Sequence, residues 1–70
     1  MEGELQRRVG KNLRAYRKAQ GLSQEGLAEK LKIDRTYVGG IERGERNLTL
    51  KSLERIAESI GVDPRILLKG

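Results

Sequence analysis

The 70-residue chain has no cysteine, no histidine, no tryptophan and no phenylalanine, and it has one proline. Without cysteine there is no disulfide, and without cysteine and histidine the usual zinc ligands are gone. Most nucleophilic and general-base chemistry at neutral pH goes with them, since an activated Cys or a His is its common agent. Composition therefore points away from an enzyme, and it implies no cofactor, metal or small-molecule ligand. The only aromatics are Tyr16 and Tyr37. Recognition of single-stranded RNA relies on rings that stack on bases, so that class is disfavoured. The longest apolar run is Ile66-Leu67-Leu68, far short of the roughly 20 residues of a membrane span. No signal-peptide pattern appears, and the expected location is the cytoplasm.

What is present is charge. Fifteen Lys+Arg stand against ten Asp+Glu, a net +5, and the isoelectric point is about 10.0. Such a balance favours a polyanionic partner, nucleic acid or an anionic membrane. Six of the basic residues, Arg7, Arg8, Lys11, Arg14, Arg17 and Lys18, fall within one twelve-residue stretch. They read either as a solvated helix face or, toward the C-terminal part, as a border to a phosphate backbone. Membrane binding is the weaker reading, because the apolar face of this segment is needed for a core.

Periodicity gives an all-α, five-helix domain over residues 1–70 with no strand pattern and no repeat. Leu5, Val9, Leu13 and Tyr16 share one face of a helix over about residues 4–20, stopped by Gly21. Ser23 is placed to cap a helix over 24–31 with Leu27, Ala28 and Leu31 inside. The glutamate of a full capping box is replaced by Gly26. Asp34 caps a third helix, 35–43, buried through Val38 and Ile41 and ended by Gly44. Thr49 opens a fourth, 50–60, with Leu50, Leu53, Ile56, Ala57 and Ile60 apolar. Asp63-Pro64 starts a short fifth, 64–68. Helices two and three, joined by a tight turn, have the helix-turn-helix arrangement, whose second helix can enter the major groove of DNA.

The third helix contains Gly39-Gly40, which costs about 1 kcal/mol per glycine relative to alanine. At 100° per residue, Thr36, Gly39, Gly40 and Arg43 lie opposite Val38 and Ile41, with Arg35 at the edge. The pair is thus expected to face outward, where bare backbone allows close approach to DNA at Gly39. Arg35 can pair bidentately with guanine O6 and N7, and Thr36 can meet a base edge or a thymine methyl. Tyr37 on the flank is divided between packing and DNA contact. Arg43 and Arg46 can neutralise phosphates. Asn47, Thr49 and Ser52 offer hydrogen bonds at the start of helix four, whose free N–H groups and dipole favour an anion. Thr49 serves foremost as the cap. Glu42 would repel phosphate unless paired, so it is expected to bridge to Arg14 or Arg17 of helix one. A core this small calls for very good packing or a partner subunit; Ile66, Leu67 and Leu68 either fold back on helices one and four or meet a second subunit, and they are the expected dimer interface.

The segments LRAYRKAQGLSQEGLAEKL and RTYVGGIERGERNLTLKSLERIAESIGV, with the elements GLSQ–LA, IERG and LERIA–IGV at these spacings, resemble the XRE or lambda-repressor-like helix-turn-helix regulators. That family includes Cro and phage repressor DNA-binding domains, and the likeness runs from Val9 to Val62. DRTYVGGIERGERNLTLKSLERI looks most like the controller proteins of restriction–modification systems. The resemblance implies a homodimer that binds a pseudo-palindromic double-stranded operator and regulates transcription. It implies a phosphate contact for Gln24, base contacts for Arg35 and Thr36, and backbone contacts for Arg46, Asn47 and Ser52. An antitoxin or other protein-interaction module of the same fold is the alternative. Two positions depart from the pattern. Lys32 stands where a turn glycine is common, so it is expected to be left-handed at a cost of about 1–2 kcal/mol. Gly39 stands where a polar side chain is frequent, so one contact of the family is expected to be missing.

Overall fold

A computed structural model describes residues 3–70 as five helices: α1 (Glu4–Ala19), α2 (Gln24–Leu31), α3 (Arg35–Glu42), α4 (Leu50–Ile60) and α5 (Pro64–Leu68). α1 and α3 stop one residue short of the ends expected for them, at the capping residues Gln20 and Arg43.

The starts of α2 to α5 are fixed locally. Ser23 Oγ accepts the Gly26 N–H at 3.0 Å, Asp34 Oδ1 that of Thr36 at 2.7 Å, Thr49 Oγ1 that of Ser52 at 3.0 Å, and Asp63 Oδ1 that of Arg65 at 2.9 Å. These acceptors satisfy N–H groups that a helix start leaves without intrahelical partners. The ends share one device as well. In α1 to α4 the chain closes with paired bonds onto carbonyls of the last turn, as in Leu22 N–H to Arg17 and Gly21 N–H to Lys18, both 3.0 Å. That closure requires a left-handed residue, supplied by Gly21, Gly44 and Gly61 and, at the end of α2, by Lys32 with φ +59°. The helix-turn-helix turn therefore holds its shape on a lysine that carries the strain expected for it.

The core is Val9 and Leu13 of α1, Leu27, Ala28 and Leu31 of α2, Val38 and Ile41 of α3, Leu53, Ile56, Ala57 and Ile60 of α4, and Leu67 of α5. Three apolar positions sit elsewhere than expected. Leu5 and Leu50 are largely exposed, Leu50 at 78%, because each lies in the first turn of its helix, at the margin of the packed cluster. Both line a shallow apolar groove with Val9, Leu48, Leu53 and Leu68. Leu67, expected at a dimer interface, is only 1% exposed. It is a core residue of its own protomer, since α5 folds back onto α1 and α4.

Two residues of α1 that periodicity passes over hold this arrangement. Asn12 Nδ2 donates to the carbonyls of Leu67 at 2.9 Å and Lys69 at 2.8 Å, satisfying the end of α5 and fastening it to α1. Gly10 marks the crossing of α1 and α3. A Cβ there would overlap the Ile41 carbonyl oxygen and come 2.8 Å from that of Glu42. Gly10→Ala should accordingly destabilise the protein by about 1–3 kcal/mol as an overpacking change, despite alanine's better helix propensity. Urea denaturation checks this, and an unchanged midpoint would show that the helices can separate freely.

Candidate nucleic-acid interface

α3 projects its first turn. Arg35 and Thr36 are exposed. No hydrogen bond or ion pair holds the Arg35 guanidinium among the described residues, and it borders an open depression with Arg17, Ser23, Gln24 and Glu25. The Asp34 carboxylate, next to it in sequence, is turned onto the Thr36 N–H. Tyr37 is half-buried against the core and shares the edge of a second groove with Ser52 and Arg55 of α4. Both roles weighed for Tyr37 are thus open to it, one face of the ring packed and its edge at the surface.

Glu42 is the hub beneath this surface. Its carboxylate accepts Arg17 Nε at 2.7 Å and Arg17 Nη2 at 3.1 Å, and also Gln24 Nε2 at 3.1 Å. Of the two partners expected, Arg17 makes the bridge. The Glu42 side chain is 3% exposed. Burial pushes its carboxyl up, but the hydrogen bonds from Arg17 and Gln24 and the attraction of Arg17 outweigh burial and hold it below the ordinary carboxylate value. The same bond raises the Arg17 guanidinium. Arg17 also donates to the Leu22 carbonyl at 3.0 Å, so one arginine joins α1, the start of α2 and the end of α3. Gln24, expected on a phosphate, is already engaged by Glu42, which orients its amide at the N-terminus of α2.

The glycine pair is not bare. Gly39 and Gly40 are both buried, because arginines lie over them. A Cβ at Gly39 would come 3.1 Å from Arg43 Nη1 and 3.6 Å from Gln24 Oε1, and one at Gly40 would come 2.8 Å from Arg46 Nε. Gly39 therefore does not present open backbone as expected. Outward helical phase says where a Cβ would point, and here it points into side chains arriving from the next turn and from α2.

Past α3 the remaining donors are fixed to different degrees. Arg43 pairs with Glu45 at 3.1 Å, both side chains mostly exposed, a contact of the kind that contributes at most about 1 kcal/mol and yields to a stronger anion. Asn47 Oδ1 accepts Gln6 Nε2 at 2.6 Å, which leaves the Asn47 amide N–H groups to donate elsewhere. Thr49 spends its hydroxyl on the cap and donates to Ser52 Oγ at 3.0 Å. Ser52 then has its own proton to give. Gln6 carries no signal in the helical pattern. Its part is set by a contact 41 residues away.

Two helices of eight residues, a turn closed by Lys32, and an exposed basic start to the second helix make a helix-turn-helix. The helix-turn-helix family model matches residues 13–67. The chain belongs to this helix-turn-helix family. The control protein C.SmaI of Serratia marcescens is 42% identical to it over 62 residues, covering 87% of this chain and 74% of that protein. The restriction-modification controller protein C.AhdI from Aeromonas hydrophila superposes with a TM-score of 0.78 at 45% identity, covering 89% and 94% of the two chains. The controller protein C.Esp1396I, solved as a tetramer in complex with its natural 35 base-pair operator, superposes with a TM-score of 0.78 at 42% identity over 91% of this chain and 84% of that one. The protein is thus a helix-turn-helix transcription regulator of the lambda-repressor-like type. No helix among its described residues is long and apolar enough to cross a membrane.

Proposed function

We propose that this helix-turn-helix regulator reads a pseudo-palindromic DNA operator as a homodimer and serves as the controller protein of a restriction–modification system. The observation that carries the DNA reading is the start of α3: an exposed Arg35 without a partner among the described residues, beside an exposed Thr36 and the edge of Tyr37. Gln24, Arg46, Asn47 and Ser52 flank it as backbone contacts, with Arg43 available once Glu45 is displaced. Thr49 is better read as their support than as a contact.

Size supports the dimer. The domain measures 31 × 23 × 21 Å, so two copies side by side suit recognition helices about 34 Å apart in successive major grooves. Ile66, 47% exposed, and half-buried Leu68 are candidates for the interface. The apolar groove that Leu68 shares with Leu5 and Leu50 continues the same apolar surface. The names of the similar controller proteins support the biological role.

Selection of bound sequences from random duplex DNA tests the reading. Two related half-sites about 10 base pairs apart are expected, with affinity falling steeply in salt at a log–log slope of about −0.9 per neutralised phosphate. Enrichment of no sequence, or binding only of single-stranded RNA or of a protein, would overturn it. A neighbouring methyltransferase and endonuclease gene pair would support the controller role, and a neighbouring toxin gene the antitoxin alternative.

A further inference from the structure

Gly40, Arg46 and Tyr37 pack as one unit. A Cβ at Gly40 would lie 2.8 Å from Arg46 Nε, 3.1 Å from its Cγ and 3.5 Å from its Cδ. The arginine stem therefore rests on helix backbone that only glycine leaves uncovered. From there the guanidinium reaches 5.0 Å from the centroid of the Tyr37 ring, within the range of a cation–π contact. Residues 37 and 40 are three apart on α3 and share a face. The chain returns to that face through the closing turn of α3, in which the Glu45 N–H bonds the Gly40 carbonyl at 2.9 Å and Gly44 is left-handed with φ +75°. The Tyr37 side chain also packs against the core, and its hydroxyl makes no hydrogen bond among the described residues.

We infer that Arg46 is a positioning residue for base recognition: seated in the notch at Gly40, it holds the Tyr37 ring so that the phenol meets one defined base position. This rests on the proposed DNA reading and changes the part given to Arg46. Neutralising a phosphate is blind to sequence, whereas fixing the ring before binding makes recognition by that ring sharper, since less side-chain freedom is lost on contact. Gly40 then has a specific use. It accepts weaker helix propensity so that the arginine can lie flat. A larger residue displaces the flexible arginine and leaves the helix backbone in place.

The test is Gly40→Ala, which favours helix over glycine and so keeps α3 folded, compared with Tyr37→Phe and Arg46→Ala. Two quantities are read: the NMR resonance of the Arg46 Nε–H in DNA-free protein, which the ring current shifts, and relative affinity for a panel of single-base variants of the selected operator. Gly40→Ala should move that resonance to the position of an unstacked arginine. It should also reduce discrimination about two- to fivefold, the scale of an exposed cation–π contact, at the same base pair that Tyr37→Phe affects. Arg46→Ala should show the same local loss together with a uniform loss across all sequences. The inference is overturned if Gly40→Ala leaves the resonance where it was. It is equally overturned if the stack is lost and the pattern of base preference stays intact, or if Tyr37→Phe changes no preference. Failure of the underlying reading looks different, because the unaltered protein would then select no sequence.

Discussion

Glu42→Gln should destabilise the protein by about 3 kcal/mol, toward the lower end of the range for breaking a buried ion pair by removing one partner. The carboxylate is 3% exposed and holds Arg17 through two bonds and Gln24 through a third. The neutral amide leaves Arg17 with its charge uncompensated. For a domain of this length, total stability is about 4–10 kcal/mol at the usual 0.05–0.15 per residue, so the loss is a large fraction. Denaturation at a fixed protein concentration measures it, since a dimer's stability depends on concentration. Replacing both partners, Arg17→Met with Glu42→Leu, should recover much of the loss, because two apolar groups leave no buried charge. An unchanged denaturation midpoint in Glu42→Gln would show that the pair is not a structural anchor.

The same pair sets a pH dependence. The folded-state carboxyl of Glu42 lies below its ordinary value of 4.5, so the unfolded chain binds more protons in that window and stability rises with pH. The contribution is complete above 4.5 and is lost as pH falls through the lowered folded value. Asp63, held at about 2 by the Arg65 side chain and backbone N–H, adds a loss between 3.8 and that value. Glu42→Gln should flatten the upper part of the acid limb.

Arg35→Ala should reduce discrimination at one base pair per half-site by about 1–3 kcal/mol, roughly 5- to 150-fold, if the guanidinium pairs with guanine. Position at the start of α3, exposure and the absence of a protein partner among the described residues all favour that use. Its neighbours give the contrast. Asn47→Ala and Ser52→Ala should weaken all sequences alike, since backbone contacts carry no base information. Affinity for every single-base variant of the operator separates the two patterns. A uniform loss from Arg35→Ala, with the preferred sequence unchanged, would move Arg35 to the phosphate contacts.

The division between local and tertiary information runs through α3. Its limits are local chemistry: Asp34 caps residues two positions on, and Gly44 supplies the left-handed turn, interactions that span a few residues. The same holds for the other caps, the strain at Lys32 and the buried stripe through Val38 and Ile41, all readable from spacing and residue type. The Glu42 pair was legible by elimination, because a carboxylate at the core edge of a basic helix needs a cation.

What lies over a helix is another matter. Helical phase directs Gly39 and Gly40 outward, and they are buried because Arg43, one helical turn on, lies over Gly39, and Arg46, past the turn at Gly44 that reverses the chain, folds back onto Gly40. Leu5 and Leu50 obey the apolar period of their helices and are still exposed, since the period says which face a residue occupies and not how far along that face the core extends. Gly10, Asn12 and Gln6 follow no pattern; each is defined by a segment 31 to 57 residues away. Five helices, their caps and turns, and the helix-turn-helix with Arg35 at its leading end follow from residue order alone, because these depend on local backbone energetics and periodic burial. Which side chains are exposed at the surface of α3 and which are held on another residue is settled by packing, because that depends on where distant segments come to rest.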